Sequence, residues 1–206
     1  MNEKYAALAQ LGTATVHEAA ARSPVVDVDL IQVVPGSRAA GPARTVRCGQ
    51  DDNLMVHAAV AESEPGEVLV LTMPEPRPIA LIGELIATQA KTAGVEAILV
   101  DGAVRDLDEL RELGLPVWAR YVRVSGAEKR VRGEIGATVQ VGGATIHQGD
   151  AVVLDADGVV VVEQARVEEV LASALKRFER EAEKRPKLQE GEFSYDLDDL
   201  RRLVES

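Results

Sequence analysis

One cysteine, six aromatic residues and six lysines are all that this chain of 206 residues holds of three residue classes that usually advertise chemistry. With Cys48 alone, no disulfide can close within the chain and no cysteine-based zinc site can form. That economy fits a reducing cytoplasm, which is the expected compartment. Aromatics make up 3% of the residues, so the core must be built from Val, Leu, Ile and Ala. The stacking platforms that single-stranded nucleic acids need are absent. Positive charge is also short: 23 Lys and Arg stand against 34 Asp and Glu, a net charge of −11. Such a field repels a phosphate backbone, which excludes DNA and RNA as expected partners. No apolar run approaches the roughly 20 residues of a membrane span, and the first twenty residues lack the basic-then-apolar pattern of a secretory signal. The three histidines, His17, His57 and His147, show no metal-ligand spacing and join no Ser/His/Asp arrangement. None of the lysines lies in an apolar strand, where desolvation would ready it for imine chemistry, so carbonyl chemistry on this chain would call for a metal instead.

Hydrophobic residues account for 46% of the chain, enough for one sizeable globular core. The pattern predicts helices over 3–12 and from Thr13 or Thr15 as cap, a strand at 28–34, a strand at 43–47 and a helix over 53–61. A buried strand at 67–73 leads to the rigid, proline-rich loop 74–78, then a helix running from Ile79 to Gly94. A strand at 97–101, a loop at 102–106, a helix ended by Gly114 and a strand at 117–122 follow. The stretch up to Val162 is rich in short strands with turns at 142–143, 148–150 and 155–158, and a charged helix over 167–185 precedes a polar tail. Strand and helix alternate between 67 and 122, which indicates an α/β layer, whereas the later meander argues against a purely doubly wound sheet.

Two junctions invite a functional reading. At Gly83-Glu84-Leu85-Ile86 the chain enters a helix whose first amides are free to attract a carboxylate, and Gly83 admits a ligand close to the backbone. An ordinary helix start reads the same way. At Arg105-Asp106 the chain leaves an apolar strand, the place where open α/β sheets put their ligands. Arg105 offers a fork matched to a carboxylate, and Asp106 is a hard oxygen ligand for Mg2+ or Mn2+. The same two residues would serve equally as caps of the following helix.

Counting between the junctions adds a resemblance. Glu84, then residues 85–104, then Arg105-Asp106 reproduce the acidic residue, twenty-residue spacer and Arg-Asp of the RraA-like family. The segments 11–19, 52–59, 65–71, 100–106, 115–120, 142–162 and 183–201 are similar to family counterparts along nearly the whole chain. Within the family, the chain most resembles the 4-hydroxy-4-methyl-2-oxoglutarate / 4-carboxy-4-hydroxy-2-oxoadipate aldolases, metal-dependent pyruvate aldolases that also decarboxylate oxaloacetate. Glu84 stands where well-studied members carry Asp.

The resemblance implies a three-layer β/β/α sandwich like the phosphohistidine swivelling domain, with residues 1–165 as the catalytic domain and 166–206 as a C-terminal helical arm on a neighbouring subunit. It implies a homotrimer or homohexamer. It implies that backbone amides of Gly83, Glu84, Leu85 and Ile86 hold the carboxylate of a small 2-oxo acid together with Arg105. Asp106 would be the direct ligand to Mg2+ or Mn2+, Glu84 would hold metal-bound waters, and Glu181 would reach the site of an adjacent subunit. Some RraA-like proteins instead inhibit RNase E without catalysis; these lack the metal-binding Asp that stands here as Asp106. A methyltransferase name is also attached to the family, but no glycine-rich fingerprint for S-adenosylmethionine is present.

Overall fold

In the computed structural model, which describes residues 2–22 and 24–205, the chain opens with two helices, α1 (Glu3–Leu11) and α2 (Thr13–Ala19). Then come β1 (Ile31–Gln32), β2 (Ala39–Arg47), α3 (Leu54–Ala61), β3 (Val68–Thr72), β4 (Ala80–Ile82), α4 (Glu84–Thr92), β5 (Ala97–Val104), α5 (Leu107–Leu113) and β6 (Val117–Val122). The short strands β7 (Glu134–Ile135), β8 (Val139–Val141), β9 (Ala144–Ile146), β10 (Ala151–Asp155) and β11 (Gly158–Val162) follow. A long helix α6 (Val167–Gln189) and two single-turn helices, α7 (Ser194–Leu197) and α8 (Arg201–Val204), end the chain.

The main sheet runs β1-β6-β5-β3-β2-β10-β11, with β4 added beside β5 and β7 beside β2. The central strands β2, β3, β5 and β6 are parallel, while β1, β7, β10 and β11 pair antiparallel. Parallel strands covered on both faces read as unbroken apolar runs. Here the alternation assigns each residue to a face. Leu69, Leu71, Ile98 and Val100 point to a core shared with α3, α4 and α5. Val68, Val70, Ala97 and Leu99 point to a second core closed by the β8–β9 hairpin, β10, β11 and Trp118. Full burial of each such side chain is worth about 1.5–3 kcal/mol, so the two cores clamp the sheet from both sides. This is a mixed α/β fold with a curled sheet, layered as the resemblance implies. A third core joins α1 and α2 to β10, β11 and the first turns of α6 through Val167 and Val170.

Several elements depart from the expectations. The strand expected at 28–34 shrinks to β1; ahead of it the Val26 amide donates to the Val159 carbonyl of β11, the Asp27 amide to the Gly142 carbonyl and the Val28 amide back to the Val26 carbonyl. Thr13 does not cap α2: Gly12 takes the cap position, and the Thr13 amide and hydroxyl both donate to the buried Asp155 carboxylate, at 2.8 and 2.6 Å. The strand at 43–47 extends back to Ala39, since its first half pairs with β10 and its second half with β3. The C-terminal helix continues past 185 to Gln189 with Pro186 inside it. The donor that Pro186 lacks would have met the carbonyl of exposed Ala182, which water can satisfy.

Two departures shape the site. Residues 80–82 are not the start of a helix but a fully buried strand, β4, laid parallel to the end of β5. The stretch 102–104 is not a loop: β5 carries on to Val104, with a register shift against β6 between Val100 and Ala103. Both strands therefore end side by side, and both hand over to helices at the same edge.

Candidate functional site

Where β4 ends, Gly83 leads into α4; where β5 ends, Arg105 and Asp106 lead into α5. The two exits are stitched together. The Arg105 amide donates to the Ile82 carbonyl at 3.1 Å, and Asp106 Oδ2 accepts from the Glu84 amide at 3.0 Å. Asp106 occupies the cap position of α5 in a left-handed conformation (φ 60°, ψ 50°), which Asp tolerates better than most residues. Its side chain makes no capping bond to α5. The capping alternative is thereby corrected: the carboxylate caps the first turn of the neighbouring helix, α4.

This arrangement needs glycine at 83 for reasons of space. Its φ of −142° suits any residue, but a Cβ there would lie 2.2 Å from Asp106 Oδ2 and 3.0 Å from Arg105 Cγ. The next two amides of the first turn, those of Leu85 and Ile86, have no protein acceptor among the described residues. Such amides, with the dipole of the helix behind them, favour an anion. Arg105 is half-exposed, and its Nε lies 3.7 Å from Asp106 Oδ2, which leaves the outer guanidinium nitrogens open to a ligand.

All these groups face one cavity of about 260 Å3, lined by Gly83, Leu85, Ile86, Arg105 and Asp106, by Ala80, Leu81 and Ile82 of β4, and by Asn53, His57, Gln89, Gly126, Ala127 and Lys129. Of the expected site residues, the structure brings Gly83, Leu85, Ile86, Arg105 and Asp106 together. Glu84 contributes its amide, but its carboxylate accepts from Thr88 Oγ1 at 2.9 Å and does not line the cavity. Glu181 lies on α6, which packs on α1 and α2, and it pairs with Arg177 at 2.9 Å. Within one protomer it takes no part in the cavity.

The far wall escaped the sequence reading. Asn53 and His57 sit one helical turn apart, a spacing that marks a shared face, and this was the available signal. The Asn53 amide is anchored by its Nδ2, which donates to the Leu81 carbonyl at 2.8 Å. Asn53 Oδ1 and His57 Nε2 are buried without a hydrogen-bond partner among the described residues. Burial and the nearby Lys129 charge pull the His57 imidazole below its ordinary pKa. Lys129 sits in a segment without periodicity, so nothing in the sequence announced it. It is exposed, unlike the enclosed lysine that imine formation requires. The segment that carries it is pinned by buried Asp52, whose carboxylate accepts from the amides of Leu54 (2.8 Å), Arg130 (2.6 Å) and Val131 (3.0 Å).

The donor set can be weighed against a divalent cation. Among the described residues no group of three or more His, Cys, Asp or Glu side chains converges as a metal cage. Asp106 Oδ1, however, takes no hydrogen bond from the described residues, so one carboxylate oxygen is open beside the free amides and Arg105. Mg2+ commonly binds through one or two carboxylates and keeps water or substrate oxygens for its remaining positions. The residues present fit that mode of binding and do not fit a closed, all-protein site.

Comparison with known proteins bears on the family and the fold. The model of the RraA-like family, described as Aldolase/RraA, matches residues 13–161. A protein of Halalkalibacterium halodurans with the provisional name 4-hydroxy-4-methyl-2-oxoglutarate aldolase is 36% identical over 137 residues, 66% of this chain and 65% of the relative. A Marinomonas protein with the same provisional name is 35% identical over 103 residues, 50% of this chain and 63% of the relative. The chain thus spans just under two thirds of the length of these curated relatives. Among solved structures, Streptomyces coelicolor RraAS2, of the RNase ES inhibitor RraA family, superposes with a TM-score of 0.79 at 28% identity, over 90% of this chain and 96% of its own. The RNA-processing inhibitor RraA from Thermus gives 0.68 at 27% identity, over 73% and 91%. A Pseudomonas syringae protein without a described function gives 0.83 at 22% identity, over 94% and 95%, and shows the fold alone. With a family model matched over most of its length, this chain belongs to the RraA-like family.

Proposed function

We propose that this protein is a divalent-metal-dependent pyruvate aldolase. It would cleave 4-carboxy-4-hydroxy-2-oxoadipate or 4-hydroxy-4-methyl-2-oxoglutarate to pyruvate plus a second 2-oxo acid, and decarboxylate oxaloacetate at the same site. One observation carries the reading: Asp106, Arg105 and the free amides of α4 face a single cavity, with one Asp106 oxygen committed to the Glu84 amide and the other open.

The carboxylate of the 2-oxo acid would lie against the Leu85 and Ile86 amides, with the Arg105 guanidinium reaching the same carboxylate and the 2-oxo oxygen. A Mg2+ or Mn2+ held by Asp106 would supply Lewis-acid charge to those oxygens. As the C3–C4 bond breaks, its electron pair moves toward the 2-oxo group, and Arg105 neutralises the charge that grows there. The C4 hydroxyl loses its proton as the second carbonyl forms. Glu84 would hold the water that receives this proton, its side chain leaving Thr88 to do so. Glu181 would complete the site from an adjacent subunit of a homotrimer or homohexamer. Decarboxylation of oxaloacetate needs only the charge-stabilising half, since carbon dioxide leaves without a base.

The test is pyruvate release from oxaloacetate and from 4-carboxy-4-hydroxy-2-oxoadipate, coupled to NADH oxidation, with and without EDTA. EDTA should abolish both activities, and added Mg2+ or Mn2+ should restore them. Asp106→Asn, which keeps shape and removes charge, should cost at least 100-fold, as should Arg105→Ala. Near-normal metal-dependent decarboxylation by either variant would refute the site.

The similarity to RraAS2 supports a second reading, a non-catalytic regulator that binds an RNase E-type enzyme. Binding to such a nuclease with no metal-dependent pyruvate release would favour it.

A further inference from the structure

A buried ion pair sits behind the site, and the proposed chemistry gives it no task. Asp101 lies in β5, four positions ahead of Arg105, and is 3% exposed. Its partner is Arg120 of β6, whose Nε donates to Asp101 Oδ1 at 2.6 Å, with Nη2 close to the same oxygen. Neither residue lines the cavity. Burial pushes the Asp101 carboxyl up by more than the hydrogen bond and charge of Arg120 pull it down. An ion pair that recovers so little of its desolvation is a weak source of stability, and apolar residues of similar volume often replace such a pair without loss. What a buried pair can supply is a choice of register.

A register choice is made at this very step of the sheet. β5 and β6 run with Ile98 opposite Val117, Leu99 opposite Trp118 and Val100 opposite Ala119, then resume with Ala103 opposite Tyr121 and Val104 opposite Val122. Asp101 and Gly102 together therefore face Arg120 alone. The same step changes the partner of β5 on its other flank: β3 pairs last through Leu71, opposite Val100, and β4 begins at Ala80, opposite Ala103. Gly102 fits its side of the step closely, since a Cβ there would lie 2.9 Å from Met73 Cε and 3.5 Å from Leu81 Cδ1. An extra residue of this kind bends a strand and re-aims the side chains beyond it. Without it, each residue after Val100 would slip by one place and turn to the other face. Arg105 and Asp106 are among those residues. The bonds from the Arg105 amide to the Ile82 carbonyl and from the Glu84 amide to Asp106 both lie past the step.

We propose that the Asp101–Arg120 pair is a positioning device: it locks the extra residue of β5 in place and so fixes the face on which Arg105 and Asp106 leave the sheet. Neither member touches a ligand; both act through Arg105 and Asp106. The inference rests on the site assigned to those two residues and adds the support that aims it.

The test replaces the pair by Asp101→Leu together with Arg120→Met, and reads amide hydrogen exchange alongside oxaloacetate decarboxylation in Mg2+. The exchange removes both buried charges, so the chain should stay folded, with the Leu99 amide in the middle of β5 within threefold of its wild-type exchange rate. The Glu84 and Arg105 amides, which report the aim of the site, should exchange at least tenfold faster. The kcat should fall about 100-fold, the cost of a displacement near 1 Å. A pair with a merely structural role would give back both with the stability. Wild-type exchange at Glu84 and Arg105, equal acceleration at all three amides, or loosened exchange with undiminished decarboxylation each overturns the proposal. If the double variant does not fold, Asp101→Asn decides instead: it keeps the shape and removes the charge. Exchange at Glu84 and Arg105 should then be at least threefold faster with Leu99 unchanged, and no change there overturns the proposal. A wild type that does not decarboxylate oxaloacetate overturns the proposed function, while the exchange rates still decide the positioning role.

Discussion

Replacing Gly83 by alanine tests the stitch between the two helix starts with the smallest possible perturbation. The backbone at 83 is extended, so a methyl group there costs nothing in conformation. What it meets is the Asp106 carboxylate, at 2.2 Å, and the root of the Arg105 side chain, at 3.0 Å. Normal contact requires a gap of about 3.5 Å, so the carboxylate must retreat by more than 1 Å or the first turn of α4 must shift. Either movement breaks the bond from the Glu84 amide. Forced overpacking of one methyl group costs about 1–3 kcal/mol, and for a chain of this size each kcal/mol lowers Tm by about 2–4 °C. A fall of about 2–12 °C in thermal unfolding is therefore expected. Displacing a catalytic group by about 1 Å can cost 100-fold, so oxaloacetate decarboxylation should fall by that order, with weaker apparent Mg2+ affinity. Gly126→Ala is the matched control: its methyl group would lie 2.9 Å from Arg105 Nη1, the far end of a flexible side chain, and should cost less than tenfold. Wild-type Tm and activity in Gly83→Ala would refute the claim that Asp106 is held against α4.

Glu84→Gln should separate the two activities, lowering cleavage of the hydroxy-oxo acid at least tenfold while decarboxylation changes less than threefold; equal losses in the pyruvate-release assay would count against a proton-handling role. Burial pushes the Asp52 carboxyl up, but the Arg130, Leu54 and Val131 amides and the Lys129 charge outweigh it and hold it below the ordinary 3.8. The stabilisation from Asp52 is then fully present above the unfolded-state value and lost as pH falls below about 4 through the folded-state value. The Tm gap between wild type and Asp52→Asn should accordingly be widest near neutrality and close on acidification, as followed by circular dichroism. Arg120→Met strands the buried Asp101, to which the guanidinium Nε now donates at 2.6 Å, and should destabilise the fold by about 3–5 kcal/mol in urea unfolding, with Asp101→Leu in the same chain recovering much of the loss.

The sequence pattern located the parallel core strands well because strands buried on both faces leave an unbroken apolar signature, as in Val68–Thr72. It misread Ala80–Ile82 as helix because four apolar residues before a genuine helix look like its first turn; only the open flank of β5, a partner distant in sequence, makes them a strand. The Arg105-Asp106 pair was legible as a site candidate, but its geometry was not. A capping Asp and a bridging Asp have the same letters before them and after them, and the choice falls to Gly83, twenty-three residues earlier, which leaves room for the carboxylate. The far wall was the least visible part. Lys129 owes its place to Asp52, through bonds that span 78 and 79 positions of chain and leave no periodic trace.

The contrast between the two walls has an evolutionary consequence. The head of the cavity, from β4 through Asp106, is a single stretch of chain, residues 80–106, and its key contacts are made within that stretch. It can be inherited whole, and substitutions elsewhere, Arg120 aside, leave its internal fit alone. The opposite wall is assembled from α3 and the 126–129 segment, which Asp52 and Asn53 tie to each other and which lie outside that stretch. A chain built in this way can keep the fit of one wall of a cavity while the other wall changes.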